Sequence, residues 1–155
     1  MERIASFTIN HLVLEPGLYV SRRDERDGVT VTTFDMRLTA PNREPVVDTP
    51  ALHTIEHLGA TFLRNSARSS EIVYFGPMGC RTGCYIVMFG DLNSEDVYDL
   101  VVEMCDFIIG FEGEIPGAKP EECGNYQEQN LDMAKYYISK YRDSLVANKN
   151  FVYKD

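Results

Sequence analysis

The chain has 155 residues, 44% of them hydrophobic and 25% charged, which is the composition of an ordinary soluble protein with a single domain over residues 1–155. A formal net charge of -9 repels phosphate backbones and anionic headgroups, so we expect no nucleic-acid partner and no membrane partner. The start of the sequence, MERIASFTIN, has no apolar run that would make it a secretory signal, and we expect a cytoplasmic protein with free thiols.

The first half of the chain predicts two strands followed by one helix. Segments 18–22 and 29–38 are predicted as strands joined by a charged turn over residues 24–28, and the second segment is dense in β-branched residues. After a loop marked by three prolines, a helix is predicted up to about Asn65. It begins near Asp48, because Asp48 or Thr49 can cap it and Pro50 fits its first turn.

The second half predicts two further strands and two further helices. A short strand over 71–75 leads into a tight turn over 76–79, and a buried strand follows over 84–89. Ser94 is predicted to cap a helix over 95–109, and a last amphipathic helix covers 131–146. Because the strands and helices do not alternate as βαβ units, we predict an α+β fold, an antiparallel sheet with helices packed on one face.

The predicted helix from Asp48 carries the most informative motif, His53-x-x-Glu56-His57. Two imidazoles four residues apart project from the same face of a helix and can bind one metal ion, with Glu56 beside them as an acid/base. A catalytic metal usually has three protein ligands, so a third is missing from this segment. His11, a cysteine or a carboxylate could supply it.

Five blocks of the sequence, taken in order, point to a known family. They are SFTINH, FDMRLTAPN, ALHTIEHLGATFLRN, PMGCRTGCY and ECG, at residues 6–11, 34–42, 51–65, 77–85 and 122–124. Together they resemble the S-ribosylhomocysteine lyase (LuxS) family over essentially the whole chain. The resemblance implies a homodimer with sites at the subunit interface. It also implies one divalent metal per subunit, Fe(II) natively with Zn or Co as substitutes.

The resemblance also implies which residues hold the metal and which move protons. His53, His57 and Cys123 fall on the positions of the metal ligands. Cys80 and Glu56 fall on the positions of the catalytic residues. The implied reaction converts S-ribosylhomocysteine to homocysteine and 4,5-dihydroxy-2,3-pentanedione, the precursor of autoinducer-2. The carbonyl migrates along the sugar through enediolates before β-elimination releases the thiol, so two bases acting at different carbons suit the chemistry.

Three further residues match positions that line the substrate site in the family, namely Ser6, His11 and Arg37. Two departures from the family pattern lie close to Cys80 in the sequence. Tyr74 stands where an acidic residue is common, and Gly76 replaces the usual serine. These departures bear on the substrate contacts more than on the metal site.

The two remaining cysteines are expected in the core. Cys84 stands where the family usually has an aromatic residue, and it begins the apolar strand predicted over 84–89. Cys105 lies among the apolar residues of the predicted helix over 95–109. Because free cysteine is among the most buried residue types, we predict that both thiols pack as small hydrophobic groups.

Two alternatives to the lyase stay open at this point. An H-x-x-E-H zinc metallopeptidase would use Glu56 to activate water and a distant glutamate as third ligand. A catalytically lapsed metal-binding dimer is the non-enzymatic alternative, and the unusual Tyr74 suggests it. Replacing Cys123 separates the two enzymes, because only the lyase is expected to lose most of its metal.

Overall fold

The structure, a computed structural model, describes residues 1–155 and contains four strands and three α-helices. A short 3-10 helix over Ala5–Phe7 precedes them, and another over Ser69–Glu71 follows the first α-helix. The elements in chain order are β1 (Gly17–Arg26), β2 (Val29–Arg37), α1 (Thr49–Asn65), β3 (Ile72–Pro77), β4 (Gly83–Phe89), α2 (Ser94–Ile109) and α3 (Leu131–Asn148). None of the helices combines the length and the hydropathy that a membrane span requires.

The four strands form one antiparallel sheet in the order β1-β2-β4-β3, which confirms the predicted α+β class. β2 is a central strand, and it pairs with β1 on one side and with β4 on the other. Its residues Asp35 and Arg37 lie opposite Tyr85 and Gly83 of β4. Successive side chains of a strand point to opposite faces, so Asp35 and Arg37 share one face of the sheet.

The hairpin between β1 and β2 is tighter than the sequence predicted. Only Asp27 and Gly28 form the turn, both with positive φ (52° and 79°), and the predicted turn over 24–28 is otherwise strand. This two-residue geometry matches the right-handed twist of the paired strands. β3 is also longer than predicted, because Gly76 and Pro77 still pair with β4, so the turn toward Cys80 begins after them.

Polar side chains cap the starts of α1 and α2, and the predicted cap of α2 was wrong. Asp48 caps α1 as predicted, and its side chain accepts a hydrogen bond from the Ala51 backbone N–H. Asn93, rather than Ser94, caps α2. The Asn93 and Asp96 side chains each accept from the other residue's backbone N–H, which satisfies two otherwise unpaired donors. Ser94 is instead the first helical residue, and its buried hydroxyl has no partner.

The helices pack on one face of the sheet and enclose a single core cluster of 25 buried residues. Phe34 and Met36 of β2 contribute to it from the sheet side. Cys84 and Cys105 are both fully buried in this cluster, which confirms that they pack as hydrophobic groups. Burial raises the pKa of the Cys105 thiol to about 12 and that of Cys84 higher still, so neither is a thiolate at neutral pH.

The end of the chain crosses the edge of the sheet. α3 ends at Asn148 and is capped by Lys149, whose backbone is left-handed (φ 45°). The Asn150 carbonyl then accepts from the Leu18 N–H of β1 at 2.9 Å. Beyond this contact the Tyr153 ring stacks on the Tyr19 ring with centroids 4.5 Å apart. Tyr153 therefore lies on the face of the sheet that carries Asp35.

Candidate metal centre and the cysteine site

His53, His57 and Cys123, the metal ligands that the family resemblance implied, lie close together in the structure. The four-residue spacing on α1 places the two imidazoles one helical turn apart, with their Nε2 atoms separated by 3.0 Å. The loop after α2 brings the Cys123 Sγ to 3.5 Å from the His53 Nε2. The candidate ligand atoms of the three side chains all lie within 4.8 Å of one another, a group suited to one metal ion.

Backbone carbonyls fix the tautomer of both histidines. The His53 Nδ1 is 2.7 Å from the Glu128 carbonyl oxygen, and the His57 Nδ1 is 2.6 Å from that of Pro116. Because a carbonyl only accepts, each Nδ1 carries the proton, and each Nε2 keeps a lone pair that is free to bind a metal ion. This is the orientation that metal-binding histidines require, so the residues present fit a metal.

Glu56 lies beside the metal-binding group. It lines a cavity of about 260 Å³ together with His53 and with residues of the loop that carries Cys123. Pro77, at the end of β3, forms another part of the wall. Glu56 is half-buried and lies between His53 and His57 on α1, directly before His57. A carboxylate in this position can take a proton from a molecule held near the three ligand atoms.

Cys80 belongs to a second group of side chains. Its Sγ is 3.2 Å from the Thr82 hydroxyl and 4.0 Å from the Arg37 Nη1. The Arg37 Nη1 also donates to the Thr82 Oγ1 at 2.7 Å. Burial raises the pKa of the Cys80 thiol, but the hydrogen bond with Thr82 and the charge of Arg37 outweigh it, and the pKa is lowered below its usual value. The geometry therefore favours a thiolate at Cys80.

The cavity over Cys80 also contains the three residues that the resemblance placed at the substrate. Ser6, His11 and Arg37 line its space of about 350 Å³ together with Cys80. His11 is oriented by its own loop, because its Nδ1 is 2.8 Å from the Ile9 carbonyl oxygen. The walls thus combine an imidazole, a guanidinium, a hydroxyl and a thiol, groups that can bind a polyhydroxylated molecule.

Within one chain the expected site residues thus form two groups, and Pro77 lines both cavities. Sequence reasoning missed Asp35 and Thr82, which fix Arg37 from both sides. Asp35 is fully buried, and its two oxygens accept from the Arg37 Nε and Nη2 at 3.0 and 2.6 Å. The available signal in the sequence was an acidic residue two positions before an arginine within one predicted strand, because such residues share a face of the sheet.

The two departures near Cys80 are coupled to each other. A Cβ added to Gly76 would lie 2.0 Å from the Tyr74 hydroxyl, so the phenol occupies the space of any larger residue. Tyr74 itself is half-exposed and lines neither of the two cavities.

Comparison with known proteins identifies the family. The family model described as S-ribosylhomocysteinase (LuxS) matches residues 4–152. The S-ribosylhomocysteine lyase of Finegoldia magna is 54% identical over 157 aligned positions, covering 100% of both chains. Those of Clostridium acetobutylicum and Clostridium beijerinckii are 58% and 52% identical, covering 91% and 99% of this chain and 90% and 99% of their own. The chain therefore belongs to the S-ribosylhomocysteinase (LuxS) family.

Proposed function

We propose that this chain is a metal-dependent carbon–sulfur lyase that cleaves S-ribosylhomocysteine to homocysteine and 4,5-dihydroxy-2,3-pentanedione, the precursor of autoinducer-2. The observation that carries the proposal is the group of His53, His57 and Cys123, with both imidazoles oriented by backbone carbonyls. It occurs in a chain whose full-length relatives are named S-ribosylhomocysteine lyases. The reaction would serve homocysteine recycling and the synthesis of the autoinducer precursor.

His53, His57 and Cys123 would hold one divalent cation. Two imidazoles and one thiolate suit Fe(II), Zn and Co alike, and we propose Fe(II) as the native metal on the family resemblance. The bound cation would supply Lewis acidity for the oxygen atoms of the sugar. Glu56 lies next to the ligands and would exchange protons with the same part of the substrate.

Cys80 is the second base in this proposal. Carbonyl migration takes a proton from one sugar carbon and returns one to its neighbour, through an enediolate, without any external oxidant. In the β-elimination a base removes the proton beside the carbonyl, a C=C bond forms, and the C–S bond breaks with its electron pair on sulfur. The thiolate favoured by Thr82 and Arg37 supports Cys80 as a proton acceptor. Each such acid/base contributes ~10²–10⁴-fold.

A homodimer would unite the two groups of residues at a subunit interface. In this proposal, Ser6, His11 and Arg37 bind the substrate beside Cys80. The N-terminal segment that contributes Phe7 to that cavity supports an interface, because the large apolar side chains of Ile4, Phe7 and Leu12 are 56%, 64% and 72% exposed. A cytoplasmic location completes the proposal, and it is supported by the four cysteines, all of which are free thiols.

The metallopeptidase alternative has less support. Its third ligand would be a glutamate, whereas the side chain that joins His53 and His57 is Cys123. Its relation to this chain is confined to the H-x-x-E-H pentad, whereas the LuxS family model covers residues 4–152. Cys123→Ser decides between them by metal content, because the lyase should lose most of its metal and a peptidase site should keep it.

The activity itself is tested by following homocysteine release from S-ribosylhomocysteine under anaerobic conditions with Fe(II). We expect Cys80→Ala to reduce the rate by ~10²-fold or more while metal content stays unchanged, because the variant removes a base and no ligand. Cys84→Ala is the matched control, since its thiol is fully buried. Full activity in Cys80→Ala contradicts the mechanism, and a metal-loaded but inert wild type favours the lapsed enzyme.

A further inference from the structure

A continuous row of hydrogen bonds connects the end of the chain with Cys80. The Tyr153 hydroxyl donates to the Asp35 Oδ2 at 2.8 Å, and Asp35 accepts two hydrogen bonds from Arg37. Arg37 donates to the Thr82 hydroxyl, which is 3.2 Å from the Cys80 Sγ. The row spans three segments far apart in sequence, and Asp35, Arg37 and Thr82 are almost completely buried.

The hydrogen bonds that end on Asp35 and on the Thr82 oxygen have a defined direction, whereas in the contact between Thr82 and Cys80 the hydroxyl is the donor once the sulfur is a thiolate. A carboxylate only accepts and a guanidinium only donates, so the bonds from Tyr153 and from Arg37 both end on Asp35. The Arg37 Nη1 donates to a lone pair of the Thr82 oxygen. The proton of that hydroxyl is then free to point at the Cys80 sulfur. A donor aimed at sulfur stabilises the thiolate over the thiol.

Asp35 has two opposing effects on the thiolate. It holds the Arg37 guanidinium in a two-point contact, which leaves Nη1 pointing at Thr82 and Cys80. Its negative charge also competes with the thiolate for the charge of Arg37. A hydrogen bond from Tyr153 reduces the second effect, because it takes up part of the charge on Oδ2 while keeping the carboxylate in place.

We propose that Tyr153 is a positioning residue for the Cys80 thiolate, acting through Asp35, Arg37 and Thr82. The inference rests on the proposed function of Cys80 as a base and adds a residue to it. Tyr153 is held by stacking on Tyr19 and lies one residue beyond the segment that the family model matches. The end of the chain thus takes part in the electrostatics of a site formed by strands β2 and β4.

Other ionisable groups near Cys80 define the background for a titration. The Arg37 Nη1 lies 4.0 Å from the sulfur, and Asp35 forms an ion pair with the Nη2 of the same guanidinium. Tyr85 and His11 line the same cavity. Burial raises the pKa of the Tyr85 phenol, which therefore stays neutral while Cys80 titrates. His11 contacts the same space as Cys80, so the measurement compares variants that all retain it.

The test measures the alkylation of Cys80 in the metal-loaded protein as a function of pH. Iodoacetamide reacts with the thiolate, and mass spectrometry assigns the product to the peptide that contains Cys80. We expect Tyr153→Phe to raise the pKa of Cys80 and to slow its alkylation about two- to three-fold at pH values below that pKa. A hydrogen bond to a charged group is worth about tenfold or more, and only part of it reaches the sulfur.

Tyr19→Phe is the matched control. It also removes one phenol hydroxyl from the stacked pair, but that hydroxyl donates to the Glu15 carbonyl and not to Asp35. The control should leave the pKa of Cys80 unchanged. Equal pKa values for Cys80 in wild type and Tyr153→Phe would overturn the inference, and so would equal shifts in both variants. Melting temperature and metal content confirm that each variant is folded.

A second variant tests the row of contacts without relying on Tyr153→Phe alone, and the activity of Cys80→Ala separates the positioning role from the proposed function. Thr82→Val removes the hydroxyl that joins Arg37 to the Cys80 sulfur, and it should raise the pKa of Cys80 more than Tyr153→Phe does. An unchanged pKa of Cys80 in Thr82→Val would contradict the row of contacts. If Tyr153→Phe shifts the alkylation profile while Cys80→Ala retains lyase activity, the positioning role stands and the catalytic role fails. If Cys80→Ala is inactive and the profile does not move, the positioning role alone fails.

Discussion

Gly117 is the residue whose replacement tests the orientation of the metal ligands most directly. Its neighbour Pro116 supplies the carbonyl oxygen that accepts from the His57 Nδ1 at 2.6 Å. Its own backbone has φ +74°, and a Cβ added there would lie 3.1 Å from the His57 Nδ1 and 3.3 Å from Cε1. Gly117→Ala therefore strains the loop and pushes the imidazole at once.

The magnitude follows from these two effects. A left-handed backbone costs a residue with a side chain roughly 1–2 kcal/mol, which lowers the free energy of unfolding. The contact requires a displacement of a few tenths of an ångström, and the ring that must move is the one that aims Nε2 at the metal position. Changes in groups that orient a metal ligand typically weaken metal affinity ~10–100-fold, so we expect at least ~10-fold for Gly117→Ala.

Gly113→Ala is the control that separates strain from contact. Gly113 lies in the same loop and also has a positive φ (+102°), but a Cβ added there meets no atom within 4 Å. Both variants should lose similar stability, whereas only Gly117→Ala should lose metal affinity, measured by competition with a chelator of known affinity. Equal affinities in the two variants would refute the argument that the Pro116–Gly117 segment orients His57.

Two other predictions concern stability and pH. Gly59→Ala should lower the free energy of unfolding by ~1–3 kcal/mol in thermal or urea denaturation, although alanine is the better helix former, because its Cβ would lie 2.3 Å from the Phe75 ring. A stabilised variant would contradict this packing. Alkylation of Cys80 should remain fast at pH values where an ordinary cysteine is protonated, and should fall as pH drops through its lowered pKa. Replacing Arg37 with Met should shift that fall to higher pH, and an unchanged profile would show that the arginine charge does not act on the sulfur.

The secondary structure could be predicted largely from local chemistry. The β-branched run of β2 and the Asp48 cap of α1 act within a few residues, and both were identified correctly. The errors occurred at the ends of elements. Asn93 rather than Ser94 caps α2, because it forms a reciprocal pair of hydrogen bonds with Asp96. β3 extends to Pro77, because its last residues pair with β4.

In the candidate site, too, some positions follow from local sequence and others depend on the fold. The spacing of His53 and His57 determines that both face one metal position, since the α-helix sets that geometry wherever it lies in the fold. The residue Cys123 was inferred from the family resemblance, because a ligand 66 positions beyond His57 has no fixed spacing relative to the helix. Its place beside the two imidazoles depends on the path of the loop after α2.

The sequence by itself therefore determined the elements of this protein, its family and the residue types of its chemistry. Only the tertiary structure decided the environment of those residues. The carbonyls that fix the histidine tautomers come from residues 116 and 128, and Tyr153 reaches Asp35 across 118 positions. Hydrogen bonds and charges act over a few ångströms in space, whereas sequence patterns report only on neighbours along the chain. The ionisation of Cys80 and the orientation of its partners thus became visible only in the folded chain.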